Sequence, residues 1–187
     1  MLRANSFGSA AQGGKLHLFS IYTDFGSCRR AKWIAGTIAK LAGHRWHCRS
    51  EMWKLDSLMA NEALGKMLAA DAAAADVLVV VVSSLEQRRP ELMDWLASLP
   101  PTIPLRQGLL IGLLGDEEDK GEELDWTAKQ LIQRARETNR RFIWHWMGHH
   151  DGDASDWLAE SVEALIANKQ IVTEPIIVPE TAVWQAA

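Results

Sequence analysis

Two stretches gather residue types that do chemistry. The first runs Thr23-Asp24-Phe25-Gly26-Ser27-Cys28-Arg29-Arg30, with Lys32 just beyond it. Hydroxyls, a glycine and cations around a helix start suit an anion. Free backbone N–H groups point outward there, and the helix dipole adds partial positive charge. Ser27 is the expected N-cap, which puts Arg29, Arg30 and Lys32 in the first helical turn. Cations there oppose the dipole at a cost of about 0.3–1 kcal/mol each. A chain shaped for stability alone would carry Asp or Glu instead. The basic cluster therefore points to a small anionic ligand or an acidic protein partner. The plainer reading is a solvated face whose cations pair with acids elsewhere, such as Glu86. A matching polar segment, Ser83, Ser84, Arg88 and Arg89, follows the apolar run Val77–Val82.

The second stretch holds His145, His149, His150, Asp151 and Asp153, with Asp116 after the preceding strand. Imidazoles and carboxylates are metal-ligand types. Adjacent histidines seldom face one ion, however, so a polar loop with Asp153 or Ser155 capping the next helix is expected and no metal is assigned. His145, inside a strand, reads as a core or edge histidine. Cys28 beside cations at a helix start would be a reactive thiolate, yet no general base accompanies it. Its plainer role is a small residue packed under the helix. Nucleotide motifs are missing as well: there is no G-x-x-x-x-G-K-[ST] and no G-x-G-x-x-G after the first strand.

The elements that must position these residues follow from the hydrophobic pattern. Lys15–Tyr22 is a first strand, and Ile34, Ile38 and Leu41 give the next helix an apolar stripe. Gly43 suits its C′ position. Arg45–Trp53 is a second strand, and the alanine-rich stretch from Ser57 to Ala75 is one helix. Val77–Val82 has no polar alternation, as in a strand covered on both faces. Pro90 opens a helix whose inner face is Leu92, Trp95, Leu96 and Leu99. Gly108–Leu114 is a fourth strand, a helix from about Leu124 to Thr138 follows, and Arg141–Met147 is the fifth. A last helix carries Leu158, Val162, Leu165 and Ile166 inward.

Strict strand–helix alternation forces right-handed crossovers and a parallel sheet. The predicted fold is a three-layer, doubly wound α/β domain with a five-stranded parallel sheet in the order 2-1-3-4-5. Ligands then bind in the crevice between strands one and three. That crevice collects the candidate site: Thr23, Asp24, Gly26, Ser27, Arg29 and Arg30 from one loop, and Ser83, Ser84 and Arg88 from the other. The domain spans 15–168, after a disordered tail at 1–14. An extended arm at 169–187, carrying Pro175 and Pro179, packs on the domain or joins an oligomer.

Bulk properties remove whole classes of function. In 187 residues with a net charge of −4 there is no general basic surface for nucleic acid. Two cysteines make neither a disulfide framework nor a metal site. No apolar run reaches membrane-span length. A cytoplasmic protein with reduced thiols is expected. The nine tryptophans are expected in the core and rim, with aromatic walls for a flat cofactor as the sharper alternative.

The runs YTDFGSCRRAKW (Tyr22–Trp33), MWKLDSL (Met52–Leu58) and AADVLVVVVSS (Ala74–Ser84) resemble a set of bacterial flavodoxin-like proteins to which no chemistry is assigned. The resemblance covers about Lys15 to Gly148. It implies a flavodoxin-like fold and a bacterial cytosolic setting, and leaves function open. A flavodoxin phosphate loop is rich in Ser, Thr and Gly, whereas Asp24 and Phe25 hold the middle of this one. A carboxylate facing a phosphate is repelled unless it turns away. FMN therefore stands only as an alternative, and no cofactor is expected. A phospho-receiver is similar in topology alone, since Ser83 and Ser84 stand where that family needs an Asp. The leading expectation is a non-catalytic binding or regulatory module. The alternative is a flavin- or nucleotide-dependent oxidoreductase.

Overall fold

The structure, a computed structural model, describes residues 14–83, 90–100, 107–115, 122–146 and 155–173. In chain order the elements are β1 (Gly14–Tyr22), α1 (Phe25–Ala42), β2 (Trp46–Lys54), α2 (Leu55–Met59), α3 (Glu62–Ala74), β3 (Val77–Val82), α4 (Pro90–Ala97), β4 (Gly108–Leu114), α5 (Glu122–Glu137), β5 (Arg140–Trp146) and α6 (Ser155–Thr173). The five strands order as β2-β1-β3-β4-β5, and every neighbouring pair is parallel. This is the flavodoxin-like doubly wound order expected from the alternation of elements.

Side chains that alternate along each strand divide the core into two layers. Phe19, Ile21, Leu78, Val80 and Val82 meet α2, α3, α4 and α5 on one face of the sheet. Leu16, Leu18, Val77, Val79 and Val81 meet α1 and α6 on the other. All six residues of β3 are buried, as a strand covered on both faces requires. Trp95 stacks on Phe19 with ring centroids 6.1 Å apart, and its indole N–H donates to the Gly65 carbonyl at 3.2 Å. The bland reading of the tryptophans holds for this one.

Two element boundaries differ from expectation. Instead of one helix from Ser57 to Ala75, the chain forms α2 and α3 with a break at Ala60 and Asn61. Asn61 caps α3 by accepting from the Leu64 N–H at 3.0 Å. Gly65 permits the close packing of the two helices, because a Cβ there would lie 2.9 Å from the Leu58 carbonyl oxygen. Alanine content alone could not locate that break. The last helix also runs on to Thr173, so Lys169 to Thr173 belong to α6 and not to an extended arm. The remainder of the arm and the N-terminal tail lie outside the described residues. Among those described, no helix is long and apolar enough to cross a membrane.

At the N-terminal ends of the strands, charged groups join distant elements. The Asp76 carboxylate accepts from the His17 N–H at 2.8 Å and from Lys169 Nζ at 2.5 Å. Lys169 also donates to the Lys15 carbonyl at 2.6 Å. Arg140, only 6% exposed, donates to the carbonyls of Ala72, Ala73 and Ala75 at 2.9, 3.0 and 3.1 Å. Those carbonyls are the open C-terminal end of α3, where a cation is favoured. Burial brings the guanidinium down to about 10, against an upward pull from Asp76, so it stays charged at neutral pH. Gly108 lets it pass, since a Cβ there would lie 3.0 Å from Arg140 Cγ.

Candidate functional site

The loops after β1 and β3 lie side by side at the C-terminal ends of their strands, where Tyr22 pairs with Val81. This is the switch point of the fold, the place where such sheets bind ligands. The first loop is a tight local structure. Asp24, with extended backbone, is the N-cap of α1, and Phe25 is its first helical residue. The Ser27 N–H donates to Asp24 Oδ1 at 2.7 Å, and Ser27 Oγ accepts from the Asp24 N–H at 2.8 Å. These two reciprocal bonds are a capping box. Ser27 Oγ accepts in addition from the Thr23 N–H at 3.0 Å, and Thr23 and Ser27 are both buried.

Asp24 reaches further than its own helix. Ser83, at the end of β3, and the Gly26 backbone lie close enough to its carboxyl group to help hold its charge. The carboxyl group therefore faces the crevice between the two strands. Burial pushes its pKa up. The Ser27 backbone, the Ser83 and Ser27 side chains and the Gly26 backbone outweigh that and hold it below the usual carboxylate range. A Cβ on Gly26 would come within 3.2 Å of Asp24 Oδ1.

The structure thus brings Thr23, Asp24, Gly26, Ser27 and Ser83 together, in a different arrangement from the one expected. Ser27 is not the N-cap; it is the third helical residue, and Asp24 caps. Arg29, Arg30 and Lys32 consequently lie beyond the first turn, where the dipole penalty has faded. The signal was present in the sequence as Asp24-x-x-Ser27, a capping box with the acid and the hydroxyl exchanged. Arg29 and Lys32 are exposed, and Arg30 is half-buried. Ser84, Arg88 and Arg89 lie outside the described residues.

Other candidates fall into structural roles. Cys28 lies beside Tyr22, and burial, followed by that thiol, raises the Tyr22 pKa against a downward pull from Lys54. Lys54 pairs with Asp56 at 2.8 Å where β2 meets α2, with both side chains about half exposed. That is the ordinary loop-ordering pair, worth little at a surface. His145 is exposed on the edge strand β5 and stacks on Trp157 at 5.0 Å. Asp116, His149, His150, Asp151 and Asp153 lie outside the described residues. Among the described residues no group of three metal-ligating side chains converges. Sequence reasoning missed Phe25, which is 80% exposed at the rim of the crevice.

FMN binds at this switch point in the flavodoxin-like order, and its phosphate would need free donors at the start of α1. Among the described residues, the start of α1 carries a carboxylate at that place. The Ser27 N–H already serves the Asp24 carboxylate, and that carboxylate would repel a phosphate placed beside it.

Solved structures share the fold. An oxidoreductase from Corynebacterium diphtheriae matches with a TM-score of 0.56 at 11% identity, over 86% of this chain and 99% of its own. A short-chain flavodoxin associated with a non-canonical PDU bacterial microcompartment matches at 12% identity and a TM-score of 0.49, over 86% of this chain and 99% of its own. Oxidised flavodoxin 1 from Bacillus cereus matches at 11% identity and a TM-score of 0.45, over 86% of this chain and all of its own, 100%. At 11% identity the likeness to the Corynebacterium diphtheriae structure speaks for the fold alone. No family model matches the sequence, and no curated protein matches it.

Proposed function

We propose that this chain is a non-catalytic binding or regulatory module that takes a protein partner on the rim of the β1/β3 crevice. The observation that carries this reading is the position of Asp24. Its carboxylate sits where an anionic ligand would be held and takes up the Ser27 N–H there. A seat filled from within leaves the rim, with Phe25 and the outer face of α1, as the presented surface. The alternative of a flavin-dependent oxidoreductase rests on the shared fold, and the Asp24 carboxylate at the start of α1 argues against it.

Flavin titration tests the proposal. The protein should neither quench FMN fluorescence nor gain thermal stability from FMN or inorganic phosphate. Asp24→Ser, which removes the resident charge and leaves a capping hydroxyl, should gain a melting shift with phosphate. Quenching of micromolar FMN by the unaltered protein would replace the binding module with the flavoprotein reading.

A further inference from the structure

We infer that the outer face of α1 is the docking surface for an acidic helix of a partner protein, anchored on Phe25; the inference rests on the binding-module reading above. Between Phe25 and Ala42 the helix carries Arg29, Arg30, Lys32 and Lys40 and not one Asp or Glu. The whole chain has a net charge of −4, so the positive charge of this helix runs against the balance of the protein. The cations are also sorted by face. Phe25, Arg29, Lys32, Gly36 and Lys40 follow one another at spacings of four, three, four and four, which places them on one side of a helix. All five are exposed. The buried side consists of Ser27, Ala31, Ile34, Ala35, Thr37 and Ile38.

Among the described residues, Arg29, Lys32 and Lys40 make no ion pair with a carboxylate, although α6 beside them carries exposed Asp156, Glu160 and Glu163. Glu160 is turned instead to Arg141 at 3.0 Å. Phe25 adds an apolar contact at the N-terminal tip of the stripe, and Gly36 adds a gap, with no atom within 4 Å of where its Cβ would be. An aromatic anchor at one end of a row of cations fits a partner helix with an apolar residue at one end and acids along its length. From Phe25 to Lys40 the stripe is about 22 Å long, the length of four helical turns.

The width of the stripe selects among anionic partners. α1 and α6 pack against the same face of the sheet, and packed helices lie about 8–10 Å apart. The acids of α6 therefore stand within about a Debye length of any surface laid on α1. A flat anionic membrane or a nucleic-acid duplex would cover both helices and meet Asp156 and Glu163 as well. A single acidic helix covers α1 alone.

The test uses the full chain and a fluorescein-labelled helical peptide with Glu at every third or fourth position and a Leu pair near one end. Binding followed by anisotropy should weaken as salt is added. The R29E/K32E variant should bind about tenfold more weakly or worse, and Phe25→Ala several-fold more weakly. Arg136→Glu, an exposed position on α5 in the opposite layer, should bind like the parent. No binding of the peptide, equal binding by R29E/K32E, or equally tight binding of a DNA duplex or of phosphatidylserine vesicles overturns the inference. If the peptide fails while the protein ignores FMN, the acidic helix is wrong and the binding module stands. If the protein takes up FMN, the underlying reading falls instead.

Discussion

At the N-terminal ends of the strands, polar contacts join residues far apart in the chain: 59 positions for His17 and Asp76, 68 for Arg140 and Ala72, and 154 for Lys169 and Lys15. At the C-terminal end of β1, the contacts among Thr23, Asp24 and Ser27 span three or four positions. Ser83, at the end of β3, is the distant neighbour that helps hold the Asp24 charge. The difference separates a closure of the whole domain from a local motif. Long-range contacts exist only when the sheet and both helical layers are assembled, so losing one loosens everything. The local capping box orders a loop and a helix start, and can be altered with the domain intact. Parts that vary with function belong at the second end.

The sharpest way to break this comparison is Arg140→Ala. It removes the side-chain donor from three carbonyls at the end of α3, two of them in buried contacts, and should destabilise the domain by about 3 kcal/mol in urea unfolding. A loss below about 1 kcal/mol would mean that the far end is no more integral than the near one. Next in size is the capping pair. Asp24→Ala and Ser27→Ala should each cost about 1 kcal/mol. The double variant should cost much less than the sum, because each residue serves the other. Additive losses would show that the box is not a unit.

The third prediction concerns pH. The folded Asp24 pKa lies below its unfolded value of about 3.9. Its carboxylate therefore contributes stability that is fully present above about 3.9 and fades as pH falls through the lower folded value. Asp24→Asn, which keeps the cap but not the charge, should narrow its stability gap to the parent protein across that acid window. A gap constant with pH would place the contribution in the cap geometry alone. The smallest effect belongs to Phe25→Ala, which should change stability by less than about 0.5 kcal/mol, measured by the same unfolding. A larger loss would make Phe25 a packing residue and remove it from the rim.

Much of the fold was legible because burial patterns are local. Six consecutive apolar residues at Val77–Val82 fixed a central strand, and strict alternation of elements fixed the parallel order. The break between α2 and α3 was less legible, since Gly65 matters only through its approach to the Leu58 carbonyl. In the candidate site the residue types were readable and their roles were not. Ser27 is a common cap, and only the reciprocal bonds reveal that Asp24 holds that position. Arg140 could not be found at all. A buried arginine is defined by carbonyls 65 to 68 positions away, and no local pattern announces them.

The outer strand β2 carries a consequence of its own. Nine residues long and, among the described residues, paired with β1 alone, it presents its other edge there. Such an edge is a template for unwanted sheet growth. Along it His47, Arg49, Ser50 and Lys54 are exposed, and Arg49 is drawn to Glu51 on the same strand. A second copy brought edge to edge would set like charges against each other and strip their water. Charges along such an edge oppose edge-to-edge pairing of copies, the same device that keeps other sheets from growing at high concentration.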